Sequence, residues 1–348
     1  MTKKVSLQSK VGVAGQSSAR GGREGRIRAG IIGGAGYTGG ELIRLLIHHT
    51  SVEISFIHSR SNTGNPVSAV HQDLLGETDL LFTGELLHEI DVLFLCVGHG
   101  EAKKFLSGND IDDRIKIIDL SQDFRLTNTS QLGSRRFTYG LPELNREQIR
   151  TASNIANPGC FATGIQLGLL PLAKAGLLDE VHATGITGST GAGQALSATS
   201  HFSWRANNIQ AYKTLAHQHL QEINQSLIQL GSAAPEIHFV PWRGDFPRGI
   251  FISSTITCDW KQEKLEELYL SFYEGQPFTH LSTQGIFLKQ VINTNKCVIQ
   301  LEKVGTKLVI HSAIDNLLKG ASGQAVQNMN LLFGLDECEG LRLKSIAF

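Results

Sequence analysis

A short apolar segment that runs into closely spaced glycines, and then into an amphipathic segment, constrains the fold of this chain more than any other feature. Residues 27–49 read IRAGIIGGAGYTGGELIRLLIHH. The first residues predict a short buried strand, and the apolar spacing of Leu42, Leu45 and Leu46 predicts a helix after it. A strand, a glycine turn and a helix in this order are the start of a βαβ unit, which indicates a parallel α/β sheet.

The turn itself has the spacing Gly34-x-Gly36-x-x-Gly39. Glycines at such a turn let the main chain bend sharply and approach a pyrophosphate, whose negative charge is stabilised at the helix N-terminus. The glycine pattern alone is common, but here it lies between a strand and a helix, as a dinucleotide site requires. We therefore predict that these glycines, with Tyr37 and Thr38 beside them, bind a dinucleotide.

The end of the next strand indicates which dinucleotide. The segment VEISFIHSR, residues 52–60, reads as that strand, and an NAD site usually places an acidic residue at its end to bind the ribose hydroxyls. Ser59 and Arg60 occupy this place instead. A cation and a hydroxyl suit a 2′-phosphate, which favours NADP(H) over NAD, although Arg60 as a solvated loop charge is the alternative.

Composition limits the classes of protein to which the chain can belong. Its 348 residues suffice for two domains, 41% of them are hydrophobic, and 32 basic residues balance 32 acidic ones. A balanced charge argues against a nucleic-acid partner, and no apolar run approaches the roughly 20 residues of a membrane span. The cysteines are odd in number and scattered, which argues against a disulfide framework or a cysteine-rich zinc site and suits the cytoplasm: Cys96, Cys160, Cys258, Cys297 and Cys338.

The first 27 residues differ from the rest of the chain. They are rich in basic residues, serine and glycine and hold a single acidic residue, Glu24. Such a segment is typical of a disordered tail, and an organelle transit peptide, plastid or mitochondrial, has a similar composition.

Cys160 stands in an unusual place. It directly follows Pro158-Gly159 and directly precedes the apolar segment FATGIQLGLLPLAKAGLL, which has helical spacing. A thiol on the first turn of a helix is close to unpaired N–H groups and to the positive end of the helix dipole, both of which favour the thiolate. The same N–H groups could stabilise an oxyanion. We therefore predict a nucleophilic cysteine, with a structural cysteine as the alternative.

A nucleophilic thiol needs a proton acceptor, and the segment AYKTLAHQHLQEI offers one. His217, His219 and Glu222 lie in a predicted helix, where His219 and Glu222 share a face, so that the carboxylate could orient the imidazole. Two rings at HxH spacing on a helix splay apart, so no metal site is predicted here. Arg125, at the end of the strand IKIIDLSQDFRL, has a planar guanidinium that suits a phosphate or carboxylate.

The segments GGAGYTGGELIRLL, IIDLSQDFRL, NPGCFATGIQLGLLPL, GSTGAGQALS, HQHLQEI, FPRGI and DNLLKGASGQAVQNMNLLFGL occur in this order. In these segments the chain resembles the N-acetyl-γ-glutamyl-phosphate reductases of arginine biosynthesis, within the wider fold group of aspartate-semialdehyde dehydrogenase. The resemblance covers roughly residues 28 to 348, and its cysteine segment and last segment are the most specific.

The resemblance implies a role for each matching residue. Cys160 would attack the acyl phosphate of the substrate and form a thioester, which NADPH would reduce to the semialdehyde. His219, or else His217, would be the general acid and base, with Glu222 as its partner. Arg125 would bind the leaving phosphate, and Arg248 in FPRG would bind the substrate carboxylate.

The resemblance also implies further cofactor contacts. Ser189 and Gly191, within the segment STGAG, would lie at the nicotinamide, and Asn316 would bind its carboxamide. No metal is implied, because an acyl phosphate is electrophilic enough for a thiolate.

The expected architecture follows. We predict an α/β protein with a doubly wound, Rossmann-type NADP-binding domain over residues 28–160. An α+β substrate and oligomerisation domain with a mixed sheet is predicted over 161–314, and the C-terminal segment 315–348 would return to the first domain. The family implies a homodimer or a homotetramer.

The substrate is less well determined by the sequence. An N-acetyl, N-succinyl or carrier-linked amino group, on a glutamyl or an aminoadipyl phosphate, would leave the reacting end unchanged. Aspartate-semialdehyde dehydrogenase activity is a further alternative, because it would use the same thiol, histidine and NADP chemistry.

Overall fold

The computed structural model describes residues 25–231 and 233–347. Its first eight strands form one sheet in the order β3-β2-β1-β4-β5-β8-β7-β6. All neighbours in this sheet are parallel except β6 and β7, which form an antiparallel pair. The strands are β1 Ile27–Ile32, β2 Val52–His58, β3 Phe82–Thr83, β4 Val92–Leu95, β5 Lys116–Asp119, β6 Gln131–Leu132, β7 Arg135–Tyr139 and β8 Asn154–Ala156.

Helices cover both faces of this sheet, as the continuous burial of its central strands requires. All four residues of β4 are buried, which is typical of a parallel strand between two helical layers. The predicted doubly wound fold is thus confirmed. The helices that follow its strands are α1 Tyr37–Leu46, α2 Glu101–Gly108 and α3 Pro142–Thr151.

The second sheet has seven strands in the order β10-β11-β9-β12-β15-β14-β13. It is mixed, because β9 runs parallel to β11 but antiparallel to β12. Its long strands alternate buried and exposed residues, as in β9, because helices cover one face only. The strands are β9 Glu180–Thr187, β10 Gln210–Ala211, β11 Glu236–Arg243, β12 Ile250–Thr257, β13 Thr279–Ser282, β14 Cys297–Val304 and β15 Lys307–Ile314.

The helix α4, Cys160–Lys174, forms the centre of the second core. It is buried from residue 161 to residue 173, and Ile165 and Leu169 pack in the same apolar cluster as Ile252 of β12 and Ile310 of β15. The other helices of this half are α5 Phe202–Arg205, α6 His219–Gln229 and α7 Gln262–Phe272.

The last helix, α8, spans Ser322–Leu332 and packs against the first domain. Its Val326 and Met329 belong to the same buried cluster as Leu42 and Ile43 of α1. The residues just before α8 therefore cross from one half of the molecule to the other, beside Cys160. Within the described parts of the chain, no helix is long and apolar enough to cross a membrane. The basic segment predicted over residues 1–27 lies almost wholly outside the described residues.

Candidate functional site

A cleft of about 510 Å³ lies where the two halves of the molecule meet. Its walls come from the start of α1, from the loops after β4, β5 and β8, from the ends of β9 and β11, and from the segment before α8. Ligands in open α/β sheets collect at such carboxyl ends of strands. Of the predicted site residues, the cleft brings together Gly36, Tyr37, Thr38, Arg125, Cys160, Gly191, His217, His219 and Asn316.

Cys160 is the first residue of α4 and lines the cleft. Gly159, in extended backbone conformation, precedes it as the helix N-cap, and its carbonyl accepts the N–H of Thr163 at 2.8 Å. Gly320, from the segment before α8, packs so close that a Cβ there would lie 2.8 Å from the Cβ of Cys160. The two halves of the molecule therefore fix the position of this thiol together.

The surroundings of Cys160 act on the pKa of its thiol in opposite directions. Burial raises the pKa of the Cys160 thiol to about 11, although the N–H of Phe161 and the charge of Arg125 both lower it. Burial therefore outweighs the effect of the helix N-terminus on this pKa. The thiol needs a base to accept its proton.

Two neutral imidazoles can serve as that base. Burial and the charge of Lys213 lower the pKa of His217 to about 4, and burial with the charge of Arg125 lowers the pKa of His219 well below its usual value. The rings meet edge to face, with their centroids 4.5 Å apart. Nδ1 of His219 is buried and has no hydrogen-bond partner among the described residues, so its lone pair is free to accept a proton.

His217 and His219 differ in their local structure. The sequence predicted both histidines within a helix. The helix α6 begins at His219, so His217 lies just before it. Nδ1 of His217 accepts the backbone N–H of His219 at 3.2 Å. This contact occupies Nδ1 of His217, and both rings line the cleft beside Cys160.

Glu222 lies behind the cleft and contacts more groups than predicted. Its Oε1 lies 3.6 Å from Nε2 of His219 and 3.3 Å from a guanidinium nitrogen of Arg125. Its Oε2 accepts the hydroxyl of Tyr139 at 2.9 Å and the backbone N–H of Gly159 at 3.1 Å. One buried carboxylate therefore orients the imidazole, pairs with the arginine and holds the residue before Cys160.

Arg125 lines the cleft with only a small part of its side chain exposed. Its Nε donates to the carbonyl of Asn157 at 2.8 Å, one terminal nitrogen donates to the carbonyl of Leu120 at 3.0 Å, and the other pairs with Glu222. Arginine has five N–H donors, so two remain for a ligand. Its charge is thus fixed beside Cys160 whether or not a phosphate is bound.

Arg248 does not lie in the cleft, contrary to its predicted role. Its two terminal nitrogens pair with Glu41 of α1 and, at 3.0 Å, with Asp315. Because carboxylates on both sides already bind the guanidinium, it is not available for a substrate carboxylate. Arg248 instead connects the two halves of the molecule.

The cleft contains two cations that the sequence analysis missed. Arg243 and Lys213 both line it. The guanidinium of Arg243 lies over the ring of Tyr212, 4.9 Å from its centroid, and its buried Nε has no hydrogen-bond partner among the described residues. Arg243 ends β11, so the rule that ligands collect at the carboxyl ends of strands could have identified it.

The glycines of the first turn divide into two groups. Gly36 lines the cleft, together with Tyr37 and Thr38, and a Cβ there would make only an ordinary contact, 3.7 Å from the carbonyl oxygen of Gly33. A Cβ on Gly34 would lie 2.2 Å from the side chain of Ile57, and one on Gly39 would lie 2.7 Å from the carbonyl of Gly33. These two glycines therefore permit close packing of strand and helix, and of the three only Gly36 lines the cleft.

Ser59 and Arg60 lie in a second depression, separate from Cys160. They line it together with His58, at the end of β2, and with Lys104 of α2. Arg60 is exposed and Ser59 is buried. A hydroxyl and two cations therefore line the outer end of the nucleotide-binding half, where the sequence predicted contact with a 2′-phosphate. The ammonium of Lys104 is paired at 2.7 Å with Glu101, which lines the same depression.

The remaining residues predicted to bind the cofactor are Ser189, Gly191 and Asn316. Asn316 lines it, accepts the backbone N–H of Gly249 at 2.7 Å and donates to the hydroxyl of Thr190 at 3.0 Å. Gly191 lines it as well, whereas Ser189 does not and donates its backbone N–H to the carbonyl of Phe246 at 2.9 Å. The loop that holds Gly191 is thus attached to Asn316.

Comparison with known proteins agrees with this geometry. Residues 28–152 match the semialdehyde dehydrogenase NAD-binding domain, and residues 160–316 match the semialdehyde dehydrogenase dimerisation domain. A protein from Phocaeicola vulgatus, described as N-acetyl-gamma-glutamyl-phosphate reductase, is 58% identical over 92% of this chain and its own full length. The chain belongs to the N-acetyl-γ-glutamyl-phosphate reductase family.

Other members of the N-acetyl-γ-glutamyl-phosphate reductase family are similarly close. One from Bacteroides fragilis is 58% identical over 92% of this chain and all of its own, and one from Christiangramia forsetii is 55% identical over 92% of this chain and 99% of its own. Membership makes the chain an oxidoreductase with a nicotinamide cofactor.

Solved structures show the same fold at low identity. Aspartate semialdehyde dehydrogenase II from Vibrio cholerae, complexed with ASA, has a TM-score of 0.67 at 15% identity and covers 89% of this chain and 98% of its own. Aspartate semialdehyde dehydrogenase from Candida albicans, with NADP, has a TM-score of 0.63 at 14% identity over 88% of this chain and 98% of its own. At this identity the likeness supports the two-domain fold alone.

Proposed function

We propose that the protein reduces N-acetyl-γ-glutamyl phosphate to N-acetylglutamate 5-semialdehyde with NADPH, releasing phosphate, as a step of arginine biosynthesis. The observation that carries this proposal is the placement of Cys160 at the start of α4 with His219, Glu222 and Arg125 around it. The names of relatives at 55 to 58% identity support the N-acetylated substrate over the N-succinyl, carrier-linked and aspartyl alternatives.

The first half of the reaction forms a thioester. We assign His219 to accept the proton of the Cys160 thiol as the sulfur attacks the acyl carbon. The bond from that carbon to the phosphate oxygen breaks, and the proton passes to the departing phosphate. Burial and the charge of Arg125 keep His219 neutral at physiological pH, so it starts in the form that accepts a proton.

The second half reduces the thioester. A bound nicotinamide cofactor supplies the hydride. The resulting thiohemiacetal oxyanion lies at the N-terminus of α4, where backbone N–H groups stabilise it. Its collapse releases the aldehyde and the Cys160 thiolate, which regains a proton from solvent through His219. Glu222 orients the imidazole of His219 both while the thioester forms and while it is reduced, so we assign Glu222 as a positioning residue.

Cations of the cleft complement the negative substrate. We assign Arg125, already fixed beside Cys160, to the phosphate that leaves. We assign Arg243, with its unpaired Nε, to the substrate carboxylate in place of Arg248. Lys213 adds a third positive charge at the cleft. Together they attract a substrate with a carboxylate at one end and a phosphate at the other.

The nucleotide-binding residues fit NADP(H). Gly36 leaves room for a phosphate at the N-terminus of α1, and Gly191 and Asn316 lie at the opposite side of the cleft for the nicotinamide. Ser59 and Arg60, with Lys104 opposite, supply the hydroxyl and the cations that a 2′-phosphate requires. This set supports NADPH over NADH as the physiological reductant.

The second domain supports oligomerisation. It matches a dimerisation domain, and the sheet face opposite α4 carries partly exposed apolar residues, among them Val240, Trp242 and Phe251. We propose a homodimer or homotetramer that buries the end of this face around Val240, Trp242 and Phe251 and leaves the starts of β9 and β11 uncovered. We place the enzyme in the cytoplasm, a reducing compartment that suits its five free thiols.

An assay in the reverse direction tests the function. It measures NADPH formation from NADP and phosphate with N-acetylglutamate semialdehyde, and separately with N-succinylglutamate and aspartate semialdehydes. We expect phosphate-dependent turnover with the N-acetyl compound and at least tenfold lower kcat/KM with the others. A higher kcat/KM with N-succinylglutamate semialdehyde or with aspartate semialdehyde would mean that the assigned substrate is wrong.

A further inference from the structure

Two copies of a Glu-x-His pattern lie side by side on the second sheet. Glu180-Val181-His182 begins β9, and Glu236-Ile237-His238 begins β11. The two strands are parallel, and their register pairs Glu180 with Glu236 and His182 with His238. Because alternate residues of a strand share a face, both glutamates and both histidines lie on one side of the sheet. We call these four residues the twin Glu-x-His cluster.

The polar atoms of the cluster converge. Oε1 of Glu180 lies 3.2 Å from Nε2 of His182 and 3.2 Å from Nε2 of His238. The two rings are stacked, with centroids 4.8 Å apart and an interplanar angle of 21°. Oε1 of Glu236 lies 3.5 Å from Nε2 of His238. Two imidazole nitrogens and a carboxylate oxygen therefore point at one another across two neighbouring strands.

We propose that the twin Glu-x-His cluster binds a divalent transition-metal cation of the Zn²⁺ class. The ligand atoms of Glu180, His182 and His238 lie within 4.8 Å of one another, a spacing that one tetrahedral ion can join. Imidazole nitrogen suits Zn²⁺, Co²⁺, Ni²⁺ and Cu²⁺ and excludes Mg²⁺ and Ca²⁺, which prefer all-oxygen sites. Glu236 or water supplies the fourth ligand.

The scaffold favours a chelate over a chance contact of surface side chains. The sheet register fixes the spacing of the two histidines, so binding a metal does not require ordering a loop. The side chains of His182 and Glu180 are 62% and 56% exposed, so an ion can reach them. His48 and Glu77 form a pair with the same exposure, 63% and 51%, but have only one histidine and serve as an internal comparison.

The position of the cluster indicates what a bound ion would do. The short strand β10 pairs with β11 only at Trp242 and Arg243, so the start of β11 is paired to the sheet through β9 alone. A metal that joins His182 to His238 would fasten this end and stabilise the folded domain. The cleft residues Thr187 and Arg243 lie at the other ends of these strands, roughly 16 Å away at about 3.3 Å per residue. The ion is therefore structural and takes no part in the reduction.

Metal titration of a catalytically disabled variant tests this proposal independently of the assigned reaction. The protein is Cys160→Ser, which removes the cleft thiol as a competing ligand, stripped of metal and titrated with Co²⁺ and then with Zn²⁺. We expect one equivalent of Co²⁺ with a visible d–d spectrum, displacement by Zn²⁺, and a higher melting temperature with Zn²⁺.

Three further variants in the same background decide the assignment. His182→Gln with His238→Gln should abolish this equivalent and the shift in melting temperature, and Glu180→Gln, which keeps both rings, should weaken Co²⁺ binding by at least tenfold. His48→Gln, the matched control, should bind as the parent does. Unchanged titration of the double-histidine variant, or binding lost equally in His48→Gln, would overturn the proposal.

Discussion

The site has a reacting end around Cys160 and an outer end at Ser59 and Arg60, and the two ends differ in how deeply their side chains are buried. At the reacting end, Arg125 and Glu222 have side chains only 6% and 4% exposed, and hydrogen bonds from several elements fix them beside Cys160. At the outer end, Arg60 is exposed and lies in a shallow depression beside α2. The reacting end is thus set before any ligand arrives, whereas the outer end gains its contacts from the ligand.

This difference has an energetic consequence. Removal of one partner from a buried, hydrogen-bonded set leaves the others unpaired in a poorly solvated site, which costs several kcal/mol. A surface arginine that contacts a phosphate contributes about 1 to 3 kcal/mol and has no effect on reactions that do not involve that phosphate. We therefore expect substitutions at the reacting end to abolish chemistry and those at the outer end to change only cofactor preference.

The largest effect is expected for Cys160→Ser. A hydroxyl is a much poorer nucleophile than a thiol, so kcat should fall by more than about 10³-fold while NADP still binds. Cys338→Ser, which changes a partly exposed cysteine far from the cleft, is the control and should keep full activity. Comparable activity in the two variants would remove Cys160 from the mechanism.

The second effect separates the two histidines. His219→Gln removes the free Nδ1, and we expect kcat to fall by about 10² to 10⁴-fold, as for the loss of a general base. His217→Gln should cost less than about tenfold, because Nδ1 of His217 already accepts the backbone N–H of His219 and the proton transfer is assigned to His219. Steady-state kinetics of both variants measure the difference, and a larger loss in His217→Gln would exchange their roles.

The third prediction concerns the pH at which Cys160 reacts. Because burial raises the pKa of its thiol to about 11, alkylation by iodoacetamide without ligand should accelerate about tenfold per pH unit from pH 7 to pH 9. Peptide mapping after timed labelling gives the rate at this cysteine. An alkylation rate that does not rise between pH 7 and pH 9 would mean that the thiol is already ionised at pH 7. In that case the helix N-terminus and Arg125 suffice to form the thiolate.

The smallest effect is expected at the outer end. Arg60→Ser should lower kcat/KM for NADPH by about tenfold and leave kcat/KM for NADH unchanged, because only NADPH carries the 2′-phosphate. Lys103→Ser, an exposed change on the same helix as Lys104 but outside the depression, controls for general loss of charge. Equal losses with both cofactors would show that Arg60 supports the fold instead.

Much of this architecture could be predicted from local sequence. The glycine turn, the start of α4 at Cys160 and the alternation along β11 and β12 all follow from patterns that a few neighbouring residues determine. The match of these elements to the predicted α/β fold reflects strong periodicity and the conformational freedom of glycine.

What the sequence did not reveal depends on contacts between distant segments. Arg243 and Arg248 are five positions apart, yet one enters the cleft and the other pairs with Glu41 and Asp315. The raised pKa of Cys160 arises from packing of both domains around it, including Gly320. Neither the direction of a side chain after a turn nor the burial of a thiol is encoded in a short motif.

The central claim is that the buried end forms a covalent thioester on Cys160. Intact-mass measurement after incubation with N-acetyl-γ-glutamyl phosphate, without reductant, tests it most directly. We predict a mass increase of one N-acetylglutamyl group, located at Cys160 by peptide mapping, absent in Cys160→Ser and lost when NADPH is added. An unchanged mass during active turnover, or a label on another residue that NADPH discharges, would contradict the account.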